Sequence, residues 1–154
     1  LYDQSVKVPL IINWKPKTKK MVYPGLISNA LEIPVTILDI VGSEIPKNMH
    51  GQSLLPLIEG NNIEDRKFVV SETMFARGDV NLGATGRMIR TEKYKYCIYD
   101  NGENREQLFD MENDPGEMIN LVDKEEYQDK LQNHRKLIRD WAVSTNDVAF
   151  PYIY

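Results

Sequence analysis

The period of the apolar positions changes along the chain, and the changes divide it. Val6–Ile12 is a short β-branched and leucine run with Pro9 near its start, the pattern of a strand buried on both faces. From Asn13 to Gly25, the prolines 16 and 24, Gly25 and lysines 15, 17, 19 and 20 mark a loop. Leu31, Val35, Leu38 and Val41 then recur at helical spacing. Gly42 stands where a C′ glycine ends a helix, and Pro34 fits a first turn better than an interior, so the spacing predicts a helix over Ile33–Val41. Gly51-Gln52-Ser53 leads into a short helix over Leu54–Glu59 with Ser53 as N-cap. The polar joint from Asn61-Asn62 to Arg66 reads as a boundary.

Beyond that joint the period drops to two. Lys67–Met74, Arg87–Thr91, Lys93–Tyr99 and Gln107–Met111 read as strands, with a glycine-bearing loop holding Gly78, Gly83 and Gly86 between the first two. In the third strand Tyr94, Tyr96 and Ile98 alternate with Lys93, Lys95 and Cys97, which predicts one apolar and one wetter face. Asn101-Gly102 and Asp114-Pro115-Gly116 are turns. The last element is a helix over Lys124–Val143, its start marked by Asp123 and Glu126 at capping-box spacing. Tyr127, Leu131, His134, Ile138 and Trp141 share one face of it, an apolar stripe wide enough to lie on a small antiparallel sheet.

Composition narrows the function classes. With 154 residues, 42% hydrophobic and 27% charged, the chain can bury a real core and is neither disordered nor fibrous. A net charge of -4 and a pI near 5.2 argue against a nucleic-acid partner, and the basic run beside Trp14 reads as a solvated loop. No apolar run is long enough to span a membrane. The single cysteine, Cys97, excludes an internal disulfide and a thiolate zinc quartet. The chain opens on strand-like residues without a methionine or leader, which is expected of a fragment.

Catalytic signatures are missing. His50 and His134 have no cysteine or histidine at metal-ligand spacing; His134 falls on the apolar helix face as a packing residue and His50 in a turn. The glycines match no phosphate loop.

The ordered segments carry the functional reading instead. Tyr2-Asp3-Gln4-Ser5-Val6-Lys7-Val8-Pro9-Leu10-Ile11 is similar to the sulfatase segment in which an aromatic-acidic pair leads into a basic residue and a valine-proline. Ile33–Gly42 resembles the helix that follows in that family, and Gly51-Gln52-Ser53-Leu54-Leu55-Pro56-Leu57 its glycine-x-serine-leucine turn. Arg87–Thr91, Lys93–Tyr96 and Glu106–Leu121 continue in the family's order, the stretch from Leu108 to Leu121 being the most specific. Glu32 takes the acidic position on the helix, while Pro34 comes one residue earlier than the family's pattern.

The resemblance to formylglycine-dependent sulfatases implies an α+β chain. Residues 1–60 would be the end of the large alkaline-phosphatase-like α/β domain, and residues 67–154 a small C-terminal subdomain of antiparallel sheet against one long helix. It implies calcium and formylglycine in the intact enzyme, but no catalytic or metal residue maps onto this chain. The Cys/Ser-x-Pro/Ala-x-Arg motif is broken at Cys97-Ile98-Tyr99 and at Ser28-Asn29-Ala30-Leu31-Glu32. In the family, the late metal-binding acidic pair and a sulfate-contacting lysine precede the segment that begins at Tyr2.

The implied partners are the N-terminal catalytic part of the same protein and a sulfated carbohydrate, with a periplasmic, secreted or lysosomal setting. The ending Leu137–Asp147 leans toward enzymes of sulfated glycosaminoglycans. Left alone, Leu1–Gly60 is expected to self-associate through its unpaired strand, or to be disordered where that pairing fails. Within the Thr73–Gly86 loop, Arg77 and Asp79, with Glu72 at its base, are the candidate substrate contacts, because arginine's planar fork suits anionic sugar groups. Arg87 and Arg90 are expected to face solvent or pair with carboxylates. Two other readings stay open: a non-catalytic module in which Arg77, Arg87 and Arg90 collect an anionic sugar, and part of a zinc or manganese phosphodiesterase or phosphatase of the same superfamily.

Overall fold

The computed structural model describes residues 1–74, 76–77, 80–81 and 85–147, and of residues 76, 77 and 81 the backbone alone. The chain forms two compact units, one of Leu1–Lys7 with the described residues from Phe68 onward, the other of Val8–Lys67.

In the first unit a single helical turn of four residues, Asp3–Val6 (α1), precedes the strands. Phe68–Thr73 (β1), Gly86–Thr91 (β4), Tyr94–Tyr99 (β5) and Glu106–Asp110 (β6) form an antiparallel sheet in the order β1-β4-β5-β6, so every connection within it joins neighbours. Between β1 and β4 the expected loop carries two short paired strands, Ala76–Arg77 (β2) and Val80–Asn81 (β3), in a separate two-stranded ladder. After a 3-10 turn at Glu125–Tyr127 the long helix Gln128–Thr145 (α4) closes the unit.

Register explains the core. Val70, Ile89, Tyr96 and Leu108 lie opposite one another across the four strands, which puts their side chains on one face. Ile89, Tyr96, Ile98 and Leu108 join Leu131 and Ile138 of α4 in a buried cluster, with Tyr127 and Trp141 packed at its edge. The expected apolar stripe of the helix is therefore the one that faces the sheet.

The start of that helix differs from expectation. No side chain caps it, and Asp123 and Glu126 form no capping box. Gln128 instead donates from Nε2 to the carbonyls of Val122 and Lys124 (2.8 and 3.2 Å), so the entry is a tight turn rather than a regular first helical turn.

The alternate face was expected to be wetter, and that expectation fails. Lys93 is exposed, but Lys95 and Cys97 are buried, as are Met88 and Phe109 beside them. Tyr2 covers part of this face, its ring 5.7 Å from that of Phe109, and α1 brings Asp3 over Lys95. A strand lysine faces inward here because carboxylates meet it there, a matter of register that alternation alone does not carry.

In the second unit Asn29–Ile40 (α2) and Leu55–Ile58 (α3) are the helices. Helix α2 begins four residues before the expected start, leaving Pro34 inside it. The Ser28 N–H donates to Glu32 Oε2 (2.7 Å), a reach-back that fixes the earlier start. Thr36 ties the helices together: its hydroxyl donates to Glu32 O (2.7 Å) and accepts from Leu54 N–H (2.9 Å). Leu54, not Ser53, occupies the cap position of α3, although Ser53 Oγ still accepts from Leu55 N–H at 3.1 Å.

Val6–Ile12 is not a strand. Val6 ends α1, and Lys7 to Ile12 carries no regular structure, with Ile11 87% exposed. A strand needs ladder partners for its N–H and C=O groups, and among the described residues no strand of Val8–Lys67 exists to supply them.

Candidate functional site

Glu72 lies at the end of the sheet from which the β2–β3 pair departs. Glu72 is the fifth residue of β1 and stands opposite Arg87 of β4; Thr73 stands opposite Gly86, which pairs in turn with Tyr99. A Cβ on Gly86 would lie 2.5 Å from the Tyr99 ring and 3.1 Å from Thr73 Cγ2, so only glycine lets the ring cross the strand there. Arg77 is the second residue of β2; its side chain, and Asp79, lie outside the described residues. Of the three candidates, only Glu72 can therefore be located by its side chain.

Arg87 is buried and its guanidinium is used on every side. Nε donates to Asp147 Oδ2 (2.6 Å), Nη2 to Asp147 Oδ1 (2.8 Å) and Nη1 to Gly86 O (2.9 Å), while Glu72 Oε1 lies 3.3 Å from Nε. The Asp147 hydrogen bonds are the main cause that raises its pKa above the ordinary arginine value, against desolvation that lowers it. A bidentate fork already filled by a carboxylate has no second fork for a sulfate. The expectation that Arg87 collects an anionic sugar is corrected; its alternative, pairing with carboxylates, is what the structure contains. The group of one arginine and two carboxylates leaves Glu72, with its side chain 55% exposed, as a hydrogen-bond acceptor suited to hydroxyls rather than anions.

Arg90 is also committed. It donates from Nη1 to the carbonyls of Thr91 and Glu92, the latter at 2.7 Å, and desolvation lowers its pKa despite the nearby charges of Asp3 and Glu117. Those two carboxylates meet on Lys95, which is wholly buried. Its ammonium donates to Asp3 Oδ1 and to Glu117 Oε1 (2.7 Å), and Asp3 N–H donates to Glu117 Oε2 (2.6 Å). This cluster was missed at the sequence level, although Asp3 and Glu117 both fall in the motif segments. Their residue types were visible; their meeting across 114 positions was not.

An open cleft of about 660 Å³ lies between the β5–β6 connection and α4, its wall including Glu106, Asn120, Gln132 and Arg135. Arg135 donates from Nε to Glu106 Oε1 (2.8 Å) and from Nη2 to Oε2, and the Tyr96 hydroxyl donates to the same carboxylate. Arg135 is the main cause holding the Glu106 carboxyl below its usual range.

Nucleophile and metal chemistry find no footing among the described residues. No group of three or more His, Cys, Asp or Glu side chains could hold a metal ion there. Cys97 is buried and its thiol is pushed up to about 12, chiefly by desolvation, so it is inert at neutral pH. These residues do not fit a calcium and formylglycine site. No described helix is long and apolar enough to cross a membrane.

Residues 1–143 match the family described as N-sulphoglucosamine sulphohydrolase, C-terminal. The chain belongs to this sulfatase C-terminal family. It is 34% identical over 149 residues to a Delta 4,5-hexuronate-2-O-sulfatase of Bacteroides thetaiotaomicron, covering 95% of this chain and 30% of that protein. It is 33% identical over 126 residues to Arylsulfatase K of Rattus norvegicus, covering 79% of this chain and 22% of that one. The solved structure of BT1596, a 2-O GAG sulfatase, superposes with a TM-score of 0.76 at 32% identity over 88% of this chain and 28% of its own. This sulfatase C-terminal chain thus spans about a third or less of the length of the curated relatives it matches, and its α+β architecture is that of the solved sulfatase.

Proposed function

We propose that this chain is the C-terminal part of a sulfuric ester hydrolase acting on a sulfated carbohydrate, with 2-O-sulfated hexuronate of a glycosaminoglycan as the favoured substrate and an N-sulfate as the second. The observation that carries the reading is the match over residues 1–143, together with relatives whose names specify 2-O-sulfate. In this reading residues 1–60 complete the large α/β domain and residues 67–154 form the C-terminal subdomain. The formylglycine and calcium belong to the N-terminal catalytic part, which is the chain's first partner.

Glu72, Arg77 and Asp79 contribute to the substrate side. Glu72 accepts from a sugar hydroxyl, held by Arg87 at the root of the connection that carries Arg77. The phosphodiesterase reading has no feature of its own here, and the binding-module reading loses Arg87 as a ligand.

The test is hydrolysis by the full-length enzyme of three small substrates: sulfate release from an unsaturated 2-O-sulfated uronyl disaccharide and from N-sulfated glucosamine, and phenol release from an aryl phosphodiester. Turnover of a sulfated sugar with none of the diester supports the reading; the reverse preference overturns it. Arg77→Ala should raise KM for the natural polysaccharide about tenfold, one charged hydrogen bond of about 1.5 kcal/mol, and leave a small aryl sulfate nearly unchanged. The isolated chain should hydrolyse neither and should self-associate in light scattering through its Leu1–Gly60 part, where Val8, Ile11 and Val22 are exposed.

A further inference from the structure

The segment Trp14–Lys20 reads Trp-Lys-Pro-Lys-Thr-Lys-Lys, four lysines in seven positions and no acid, in a chain whose net charge is -4. It is not a slack loop. The N–H groups of Lys17 and Thr18 both donate to Trp14 O (2.8 and 2.9 Å), and Trp14 N–H donates to Thr18 Oγ1 (2.6 Å). These three bonds close the turn and hold Trp14 beside Lys15 and Lys17. The next residue is tied down too: Lys19 N–H donates to Ile58 O (3.2 Å), and its aliphatic stem lies against Gly60.

The charges on this turn are mostly uncompensated. Lys17 reaches Glu59 at 3.4 Å, an exposed pair that contributes little. Lys15, Lys19 and Lys20 are exposed and make no ion pair among the described residues. Trp14 is 37% exposed, so part of its indole faces solvent. A fixed turn therefore carries a part-exposed indole and, within six positions of it along the chain, three exposed lysines.

We propose that the Trp14–Lys20 turn is a docking surface for a sulfated polysaccharide, in which the lysines take sulfate or carboxylate groups and the indole takes the C–H face of a sugar ring. The choice of polysaccharide over nucleic acid rests on the hydrolase reading above. The turn acts only within about 10 Å, the screening length at 0.1 M salt. It would keep a polymeric substrate on the protein between cleavage events.

Binding and hydrolysis tests separate this inference from the proposed function. A fluorescent heparin-derived decasaccharide is titrated into the full-length protein at several salt concentrations, with duplex DNA of equal charge as competitor. The variant K15Q/K19Q/K20Q should bind at least about tenfold more weakly, as expected for lost charge-assisted bonds. Its dependence of log K on log salt should also be shallower, because fewer counterions are released. Trp14→Ala should weaken binding several-fold with the salt slope unchanged, and Trp14→Tyr should restore most of the loss. Turnover of the sulfated disaccharide should be the same in every variant.

Unchanged affinity in the triple variant overturns the proposal. So does a silent Trp14→Ala, or DNA competing as well as unlabelled decasaccharide, since either marks a plain anion exchanger. Absence of sulfate release from the disaccharide overturns the hydrolase reading alone and leaves the binding comparison intact.

Discussion

The two units contain similar shares of apolar residues but use them differently. In the sheet–helix unit, Ile89, Tyr96, Leu108, Leu131 and Ile138 are almost wholly buried against one another, and even lysine and glutamate side chains go inside in pairs. In Val8–Lys67 the buried apolar set is Val35, Leu54 and Ile58, while Ile11, Val22, Ile37 and Val41 are exposed, Val22 at 91%. The first unit supplies partners for its own surfaces. The second carries apolar surface in excess of what it covers. Each unit holds one tryptophan, Trp141 in the first and Trp14 in the second, so Trp14→Phe and Trp141→Phe backgrounds report on them separately.

The sharpest way to break the comparison is to remove Lys95. Lys95→Met leaves Asp3 and Glu117 facing each other without their cation, with Glu117 fully buried. Breaking a buried pair from one side costs about 3–5 kcal/mol, so the urea midpoint reported by Trp141 should fall steeply. A midpoint within error of the parent would show that the cluster adds nothing to the self-sufficiency of this unit.

A smaller effect sharpens the contrast directly. Ile138→Ala opens a cavity in the sheet–helix core and should cost about 3 kcal/mol. Ile37→Ala, at a position 54% exposed on α2, should change stability by less than about 0.5 kcal/mol in the isolated chain. Equal losses would mean that Ile37 is already covered.

The smallest effect concerns pH. His134 Nδ1–H donates to Lys130 O (2.7 Å), its Nε2 faces Thr91 Oγ1 (3.1 Å), and the Tyr94 ring packs on it edge-on. Burial, aided by the Lys130 charge and opposed by the Lys130 carbonyl, lowers its pKa from 6.5. The unfolded chain therefore takes up the proton first as pH falls. Stability present above about pH 6.5 is lost as pH drops below it, with a slope of at most about 1.4 kcal/mol per pH unit until the folded state is protonated too. Urea unfolding between pH 7.5 and 5 should show this slope in the parent and a flatter one in His134→Gln. Parallel slopes would exclude His134 as the source.

Much of the sheet–helix unit was legible in advance. Period two located its four main strands within a residue or so, and period 3.6 picked out the face of α4 that packs on them, because both patterns depend only on neighbouring positions. The connection between β1 and β4 read as a glycine-rich loop and contains a two-stranded ladder too short for periodicity to reveal. Val6–Ile12 misled for a different reason: its composition is that of a buried strand, but a strand exists only where another chain segment completes its ladder. Helix α2 started early because Glu32 reaches back to Ser28, a bond that competes with the preference of Pro34 for a first turn.

The sequence by itself determined the four main strands, the long helix with its apolar face and, through the order of its motifs, the family. It also excluded a nucleophile motif within the chain. The tertiary structure decided what the charged residues do. Arg87 is occupied by Asp147 sixty positions away, Lys95 by Asp3 and Glu117 at separations of 92 and 22, and Glu106 by Arg135 at 29. Such pairings are set by strand register and by how the helix crosses the sheet. No local pattern encodes them, because the free energy that keeps a buried charge comes from the partner that the fold delivers to it.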